Sequence, residues 1–538
     1  MTHALHRGAD AVVASLREAG VTQVFTVSGN HVMAIFDAAL DAGLRLVHAR
    51  HEAAAVHMAD AWGRLTGEPG VALVTGGPGH ANAVSALFSA RQAESPMLLL
   101  SGHAPLRDVG RGAFQEMHQA ELARPLTKAS WTLDASMDVR HEVRRALGVS
   151  RRDRPGPVHV SLPSDVLESE ASRSEPGPEE TVAAQRLNVV QAEEIVEWLG
   201  RASRPLVLAG PQARTPRLRA QLETLRDALG LPCLAMESPR GLQDPALGAL
   251  AEVARCADAI LLVGKRVDFT LAFGDAFDPG TSFMQVDPEV AEIERARKAL
   301  GGRLRATVLS DVDSALAALL PQRSVTRHQA WCDEVDAAVL TRPVPPRSAS
   351  GARMHPLDVA RALRPLFVGN PGAIMVADGG EFAQWAQAVL DPARRIINGP
   401  AGAIGPALPM AVAARLCHPD QPVVAFLGDG TFGFHAAEID TAVRYGLPFL
   451  AVVGNDARWN AEYQIQLRTY GPARTVGCEL LPTRYDMVAT GFGGYGECVA
   501  NAEQLDAAVT RALDSGLPAC LNVAIESVAA PSVKRVQA

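Results

Sequence analysis

The chain has 538 residues but no apolar run approaching the length of a bilayer-spanning helix, so a membrane protein is not expected. Its first stretch, MTHALHRGADAVVASLREAG, has the spacing of an amphipathic helix, without a continuous apolar core or a small-residue cleavage site, and a cytoplasmic location is the expectation. Positive charge is not in excess. The 51 Lys and Arg stand against 59 Asp and Glu, for a formal net charge of -8 with no basic patch, which argues against nucleic acid or an anionic membrane as partner. Cysteine is sparse and scattered: Cys233, Cys256, Cys332, Cys417, Cys478, Cys498 and Cys520 include no CxxC pair, so neither a zinc site nor a disulfide framework is expected. A GxGxxG fingerprint is also missing from the middle third. What is there, 48% hydrophobic and 20% charged residues, has the balance of a globular enzyme.

At roughly 100 to 200 residues per domain, this length implies about three domains. Two polar segments fit as linkers: ESEASRSEPGPEET from Glu168 to Thr181, and TRPVPPRSASGARMHP from Thr341 to Pro356. Between them short apolar strands alternate with helical patterns, as at Pro205–Gly210 and Ala259–Gly264. The fold class expected is α/β, with three Rossmann-like doubly wound domains at residues 1–170, 188–323 and 355–530.

The most informative stretch is Gly428–Asn460, GDGTFGFHAAEIDTAVRYGLPFLAVVGNDARWN. Val423–Leu427 reads as a buried strand, GDG as a turn at its carboxyl end, Glu438–Tyr445 as a helix and Leu447–Val453 as the next strand, with Asn455 and Asp456 following it. Ligands bind at that rim in open α/β sheets, and glycine lets a diphosphate approach the backbone. Asp429 and Asp456, returned to one rim with backbone carbonyls, suit Mg²⁺, which prefers hard oxygen ligands shared with phosphate. A bare GDG would be read as a tight turn.

The whole run, however, resembles the thiamin diphosphate motif of the decarboxylase and carboligase superfamily, which includes acetolactate synthase, benzaldehyde lyase, 2-hydroxyacyl-CoA lyase, oxalyl-CoA decarboxylase and pyruvate decarboxylase. The resemblance extends from about Leu5 to Ala530 and makes the three domains pyrimidine-binding, central and diphosphate-binding. It implies that Asp429, the Asp456 side chain and the Arg458 carbonyl hold Mg²⁺ on the diphosphate of the cofactor, beside Gly428 and Gly430. Two departures stand out: Asp456 replaces the family's usual Asn, and Gly454 the commoner Asn or apolar residue. A second carboxylate beside a diphosphate should tighten metal binding and weaken metal-free cofactor binding.

The first third carries RHEAAAVHMADAWGRLTGEPGVALVTGGPGHANAV, from Arg50 to Val84. Glu52, where a strand of the type Arg45–Val47 gives way to a helix, reads locally either as a helix-end acid or as a carboxyl kept in an apolar pocket for proton work. By the same resemblance it is the glutamate that hydrogen-bonds N1′ of the aminopyrimidine. GGPGHAN, with Pro78 and Asn82, matches the Gly-Pro-Gly segment near that ring, and His80 departs from the usual small residue. Ile404 matches the bulky residue beneath the folded cofactor, although the residues alone read equally as an ordinary core Ile.

Several further features bear on substrate. Asn30 stands where benzaldehyde lyase has a small residue, His31 and Trp459 stand where that enzyme also has His and Trp, and Gln115 in GAFQEMHQAELARPLTK matches the Ala-Phe-Gln-Glu segment of acetolactate synthases and 2-hydroxyacyl-CoA lyases. On sequence alone a single His is more often structural. Glu462 reads as an acid favoured by a helix dipole, or, by resemblance to pyruvate decarboxylases, as a carboxyl near the reacting carbon. The substrate pocket is thus expected at Asn30, His31, His80, Gln115 and Trp459, and the catalytic group as Glu52, His31, Gln115 and Glu462. The implied activity is lysis or ligation of a carbon–carbon bond in a 2-keto acid, 2-hydroxy ketone or aldehyde through an enamine on C2. CoA esters are the alternative substrate, with Lys534 and Arg535 the only tail cations available for a CoA phosphate. A non-catalytic or regulatory cofactor-binding homologue is the alternative of another class. The resemblance also implies a homodimer or homotetramer with its site between subunits. FAD or an adenine nucleotide binds the central domain of some relatives, and nothing in this sequence assigns one here.

Overall fold

The structure is a computed structural model that describes residues 7–171, 186–322, 328–343 and 353–535. It comprises two compact units, Met1–Ala184 and Gln185–Ala538. In the first, strands β1 (Gln23–Thr26), β2 (Arg45–His48), β3 (Gly70–Val74), β4 (Met97–His103), β5 (Ala129–Thr132) and β6 (Pro157–Pro163) form one parallel sheet in the order β2-β1-β3-β4-β6-β5.

The second unit holds two sheets. β7 (Pro205–Ala209), β8 (Cys233–Ala235), β9 (Ala259–Val263), β10 (Ser282–Asp287) and β11 (Leu304–Leu309) pair in parallel in the order β11-β10-β9-β7-β8. β12 (Ile374–Ala377), β13 (Arg394–Ile397), β14 (Val423–Gly428), β15 (Leu450–Asn455), β16 (Tyr495–Val499) and β17 (Ala519–Ala524) pair in the order β13-β12-β14-β15-β17-β16. These are the three doubly wound α/β sheets expected. The expected linkers fall largely outside the described residues, at 172–185 and 344–352.

Side-chain alternation explains why the strands read as unbroken apolar runs. Val207, Ala209, Leu261 and Val263 enter one core, while Leu206, Leu208, Ile260 and Leu262 enter another on the opposite face. Helices cover both faces, so no position in such a strand meets water. Each fully buried Leu or Ile contributes about 1.5–3 kcal/mol.

Local chemistry sets the boundaries. The strand expected from Leu447 starts only at Leu450, because Pro448 has no N–H to give to a ladder that is paired on both sides. The helix Glu438–Tyr445 lies where expected, ending on Gly446 in the left-handed region (φ 64°). An additional helix, Asp429–His435, replaces the turn expected at GDG. Gly428 is extended (φ -77°, ψ 164°) and so ends β14 and starts this helix at once, which puts the acidic Asp429 in the favourable first turn.

In both six-stranded sheets the strand order reverses beside the first strand, between β1 and β3 and between β12 and β14. Chain ends diverge there and leave a crevice at the carboxyl ends of the strands. The two sheets of the second unit are joined by a buried ion cluster. Arg395 on β13, 6% exposed, donates from Nε to Glu237 (2.7 Å) and from Nη2 to Asp244 (2.8 Å), both from the β8 side of the central sheet. Removing one partner of such a cluster strands the others in a dry environment. Arg395→Ala is therefore expected to destabilise the protein by about 3–5 kcal/mol in urea unfolding; a loss below about 1 kcal/mol, the scale of a surface pair, would mean the cluster is solvated.

Candidate active site

In the first unit the crevice is bounded by the loops after β1 and β3 and by the start of the helix Glu52–Thr66. Glu52 is the first residue of that helix and half-buried. Its Oε2 accepts a hydrogen bond from Asn82 Nδ2 (3.0 Å), and a methyl group at Gly79 would lie 3.4 Å from its Oε1. The amide of Asn82 therefore holds Glu52. Pro78 opens the helix Pro78–Gln92 at the position where its missing N–H costs nothing.

Gly77 just before it has φ 59°, and its N–H donates to Gln119 Oε1 (2.9 Å). Gln119 is 1% exposed and also donates from Nε2 to the Gly102 carbonyl (3.0 Å) and Ser161 Oγ (3.1 Å). Sequence reasoning selected Gln115 and missed Gln119, because nothing local distinguishes a glutamine destined for a loop's amide from a solvated one. Gln115 itself adopts φ 58° and packs on Gly77, and its Oε1 is buried without a hydrogen-bond partner among the described residues.

His31 is 6% exposed, shares a 3.1 Å hydrogen bond between Nδ1 and Thr75 Oγ1 and stacks on Phe114. Burial lowers its pKa, so it is neutral at neutral pH. With the exposed Asn30, Phe114 and Arg111 and the half-buried Asp108 it lines a cavity of about 410 Å³. His80 does not join them. Expected in the substrate pocket, it is fully buried, hydrogen-bonded through Nδ1 to Ser101 Oγ (2.8 Å) with its ring 4.5 Å from that of His159. Desolvation pushes its pKa down to about 4. The helical phase from Pro78 turns it toward the sheet, away from the cavity side.

In the second unit the crevice lies at the ends of β12, β14 and β15. Gly379, Glu381, Ile404, Asp429, Asp456 and Glu462 are among the lining of a cavity of about 80 Å³, with Gly428, Gly430, Arg458 and Trp459 on the same wall. Asp429 is 2% exposed; its Oδ1 accepts from the Gly430 amide (2.9 Å) and its Oδ2 from the Arg458 amide (3.2 Å). The Arg458 contact seen is thus through its N–H. Asp456 is 5% exposed, with Oδ2 buried and unpartnered among the described residues.

Burial, and then the neighbouring Asp456 charge, push the Asp429 carboxyl up to about 7, and burial pushes Asp456 up to about 6. Asn455 serves the fold: its amide donates to the Thr483 carbonyl and to Asn522 Oδ1 (both 3.0 Å), and its Oδ1 accepts from the Ala457 amide. Ala457 takes φ 58°, the bend that carries the chain from Asp456 back over Asp429.

Trp459 lies against Gly430, where a Cβ would come within 2.6 Å of its ring. Ile404 is 38% exposed, the exposure of an apolar group presented to a cavity and not of a core residue. Glu462, in the first turn of the helix Asn460–Tyr470, is exposed. Glu381, which sequence reasoning did not select, faces the same cavity; burial raises its pKa and Arg240 lies 3.6 Å away. Arg535 of the tail is paired with Glu334 at 3.0 Å. Two buried acids sharing one wall can together hold a hard dication. Among the described residues no cluster of three or more His, Cys, Asp or Glu side chains is assembled for a metal, so further ligands would be backbone or ligand oxygens. No described helix is long and apolar enough to cross a membrane.

Comparison with known proteins agrees with this geometry. Three domain profiles of thiamine pyrophosphate enzymes match: the N-terminal TPP binding domain at residues 6–122, the central domain at 192–319 and the C-terminal TPP binding domain at 378–523. The acetolactate synthase large subunit of Mycobacterium tuberculosis is 33% identical over 531 residues, covering 96% of this chain and 95% of the relative. Human 2-hydroxyacyl-CoA lyase 2 is 31% identical over 91% of this chain and 85% of its own length. The 2-hydroxyacyl-CoA lyase of Arabidopsis thaliana is 28% identical over 98% and 96%.

The raised carboxyl pKa values give a signed expectation for the protein free of divalent cations. A carboxyl that binds its proton more tightly folded than unfolded stabilises the fold at low pH, and that stabilisation is lost as pH rises through the folded value. For Asp456 the window runs from 3.8 to about 6. Asp456→Asn should therefore gain thermal stability relative to wild type as pH is raised across that window; a difference independent of pH in thermal unfolding would rule out burial of that charge.

Proposed function

The chain belongs to the thiamine pyrophosphate enzyme family, and on that premise we propose that it cleaves or forms a carbon–carbon bond beside a carbonyl, with the cofactor held through Mg²⁺. The observation that carries the metal reading is the pair Asp429 and Asp456, buried at one cavity with Asp456 Oδ2 unpartnered among the described residues. Mg²⁺ bound there offsets both carboxylates and leaves positions for diphosphate oxygens. The Arg458 carbonyl is assigned as the third protein ligand, and Gly428 and Gly430 as the backbone beside the diphosphate.

When bound, thiamin diphosphate supplies a carbon nucleophile at C2 that adds to a substrate carbonyl. Glu52 would give and take a proton at N1′ of the pyrimidine, with Asn82 fixing one oxygen of its carboxyl. Pro78 and its glycine neighbours would lie beside the pyrimidine, and Ile404 would support the cofactor's rings. Gln115 presents a buried oxygen without a donor among the described residues, and neutral His31 can accept or relay a proton at the cavity of Asn30. Glu462 and Trp459 stand at the substrate side of the second half. In this reading a complete site takes Glu52 from one copy and Asp429 from another, so the working form is at least a homodimer.

The substrate is a 2-keto acid, a 2-hydroxy ketone or an aldehyde. A CoA ester is the second reading, favoured by the activity named for several relatives; the pairing of Arg535 with Glu334 leaves Lys534 as the other tail cation and so weakens it. Purified protein with thiamin diphosphate and Mg²⁺, incubated with pyruvate, benzoylformate, benzoin, glycolyl-CoA and oxalyl-CoA, separates the readings through the CO₂ and aldehydes released. Cofactor binding without turnover of any of them would favour a binding homologue over an enzyme.

Glu52→Gln should bind thiamin diphosphate but exchange its C2 proton at least about 10²-fold more slowly, since an amide does not cycle a proton with N1′; NMR exchange at the wild-type rate would remove Glu52 from this role. Asp429→Ala should lose Mg²⁺-dependent cofactor binding while Asp456→Asn keeps it, because an amide oxygen still ligates. Equal titration heats for the two variants would contradict the metal assignment.

A further inference from the structure

Asp378 follows β12 directly and is 1% exposed, yet the hydrogen bonds it accepts come from backbone amides. Its Oδ1 accepts from Gly379 (2.7 Å) and Gly405 (2.8 Å), and its Oδ2 from Ala407 (3.0 Å). Its own N–H donates to the Phe426 carbonyl on β14 (2.9 Å), so the carboxyl is anchored to the sheet. Burial pushes its pKa up to about 7, against the pull of the three amides. A neutral amide would avoid that desolvation cost, but it presents one oxygen, and its NH₂ would face an N–H. Only a carboxylate accepts on both sides at once.

What those amides belong to gives the arrangement its purpose. Gly405 and Ala407 follow Ile404 in the loop from Gly402, and Gly402 and Gly405 take φ 66° and 90° on either side of it. A Cβ at Gly405 would stand 2.5 Å from Phe434 Cβ, and one at Gly379 would stand 2.7 Å from Ile404 Cγ2. Ile404 is thus held from three directions: by the Asp378 bonds behind it, by the backbone of Gly379 beside it, and by Phe434 against the next residue. Its side chain nonetheless remains 38% exposed and lines the cavity that Asp429 and Asp456 share.

We propose that Asp378 is a positioning residue for Ile404: its carboxylate ties the 402–407 loop to the end of β12 and so fixes how far Ile404 projects into the cavity. The inference rests on the thiamin diphosphate reading for the use made of Ile404, but the clamp itself is a property of the cofactor-free chain. Asp378→Asn keeps the size of the side chain and loses the bond to Ala407.

Two measurements test it. In the cofactor-free protein, the Ile404 methyl resonances, identified by their absence from Ile404→Val, should shift in Asp378→Asn while those of Ile439, at a distance in sequence and outside the loop, stay in place. Unmoved Ile404 methyls overturn the clamp. In the protein loaded with thiamin diphosphate and Mg²⁺, Asp378→Asn and Ile404→Ala should each slow C2 proton exchange by up to about 10²-fold, the scale of a misplacement near 1 Å. The double variant should be no slower than Ile404→Ala alone, as for two residues acting through one backbone segment. Exchange losses that multiply mean Asp378 acts by some other route and overturn the proposal. Gly379→Ala, whose Cβ would stand 2.7 Å from Ile404 Cγ2 while the Asp378 side chain is kept, should give the same slowing and the same lack of additivity, and it carries the test if Asp378→Asn does not fold. Failure of the wild type to bind the cofactor in calorimetry would instead sink the thiamin diphosphate reading, leaving the methyl shift to decide the clamp.

Discussion

Two carboxylates buried on one wall are the constraint around which the third sheet is built. The parallel register pairs Leu427 with Val453 and Gly428 with Gly454, so the chains leaving β14 and β15 emerge level and deliver Asp429 and Asp456 to the same rim. Like charges brought out of water repel and lose hydration together. The fold meets part of that cost with amides from Gly430 and Arg458 and with the left-handed bend at Ala457. Trp459 seated on Gly430 then limits water from one side. A site so arranged is electrostatically incomplete, and that is the ground for the proposal that it takes a cation.

The three sheets share an architecture without sharing a chemistry. Each has a point where strand order reverses, and at each the loops carry glycine and polar residues. In the first sheet those loops support Glu52 and His31, and in the third Asp378 and Asp429. At the corresponding point of the central sheet, Lys265 turns onto its own loop, with Nζ bonded to Thr270 Oγ1 (2.7 Å) and to the Arg266 carbonyl (3.0 Å). The crevice is a consequence of topology; what it does depends on the residues placed there.

Strand and helix positions were legible because burial on both faces of a parallel sheet writes continuous apolar runs, and because Gly446 and Pro448 punctuate them. β7, β9 and the helix Glu438–Tyr445 coincide with their expected positions to within a residue. The helix at Asp429 was not legible, since a glycine before an aspartate serves a turn and a helix start equally well. His80 illustrates a different limit. The sequence reads its neighbours as a loop, but they lie in the first turn of a helix that has already rotated it into the interior, a matter of phase that only the observed start at Pro78 decides. Asp378 and Gln119 were invisible for another reason: each acts on backbone groups distant in sequence, and backbone groups leave no signature in a list of side chains.

The Arg395 cluster bears on how such proteins can be recombined. Its acids lie on the central-sheet side and its guanidinium on β13, so the two sheets of the second unit are matched to each other by charge as well as by shape. A chimera joined between residues 322 and 353 would inherit Glu237 and Asp244 from one parent and the residue at 395 from the other. Unless that parent also carries an arginine there, Asp244 loses the guanidinium bonded to it and Glu237 is left with Arg214 alone, 3.2 Å away. The central sheet therefore travels through recombination as half of a pair, and a swap that looks neutral at the linker is decided about forty residues beyond it.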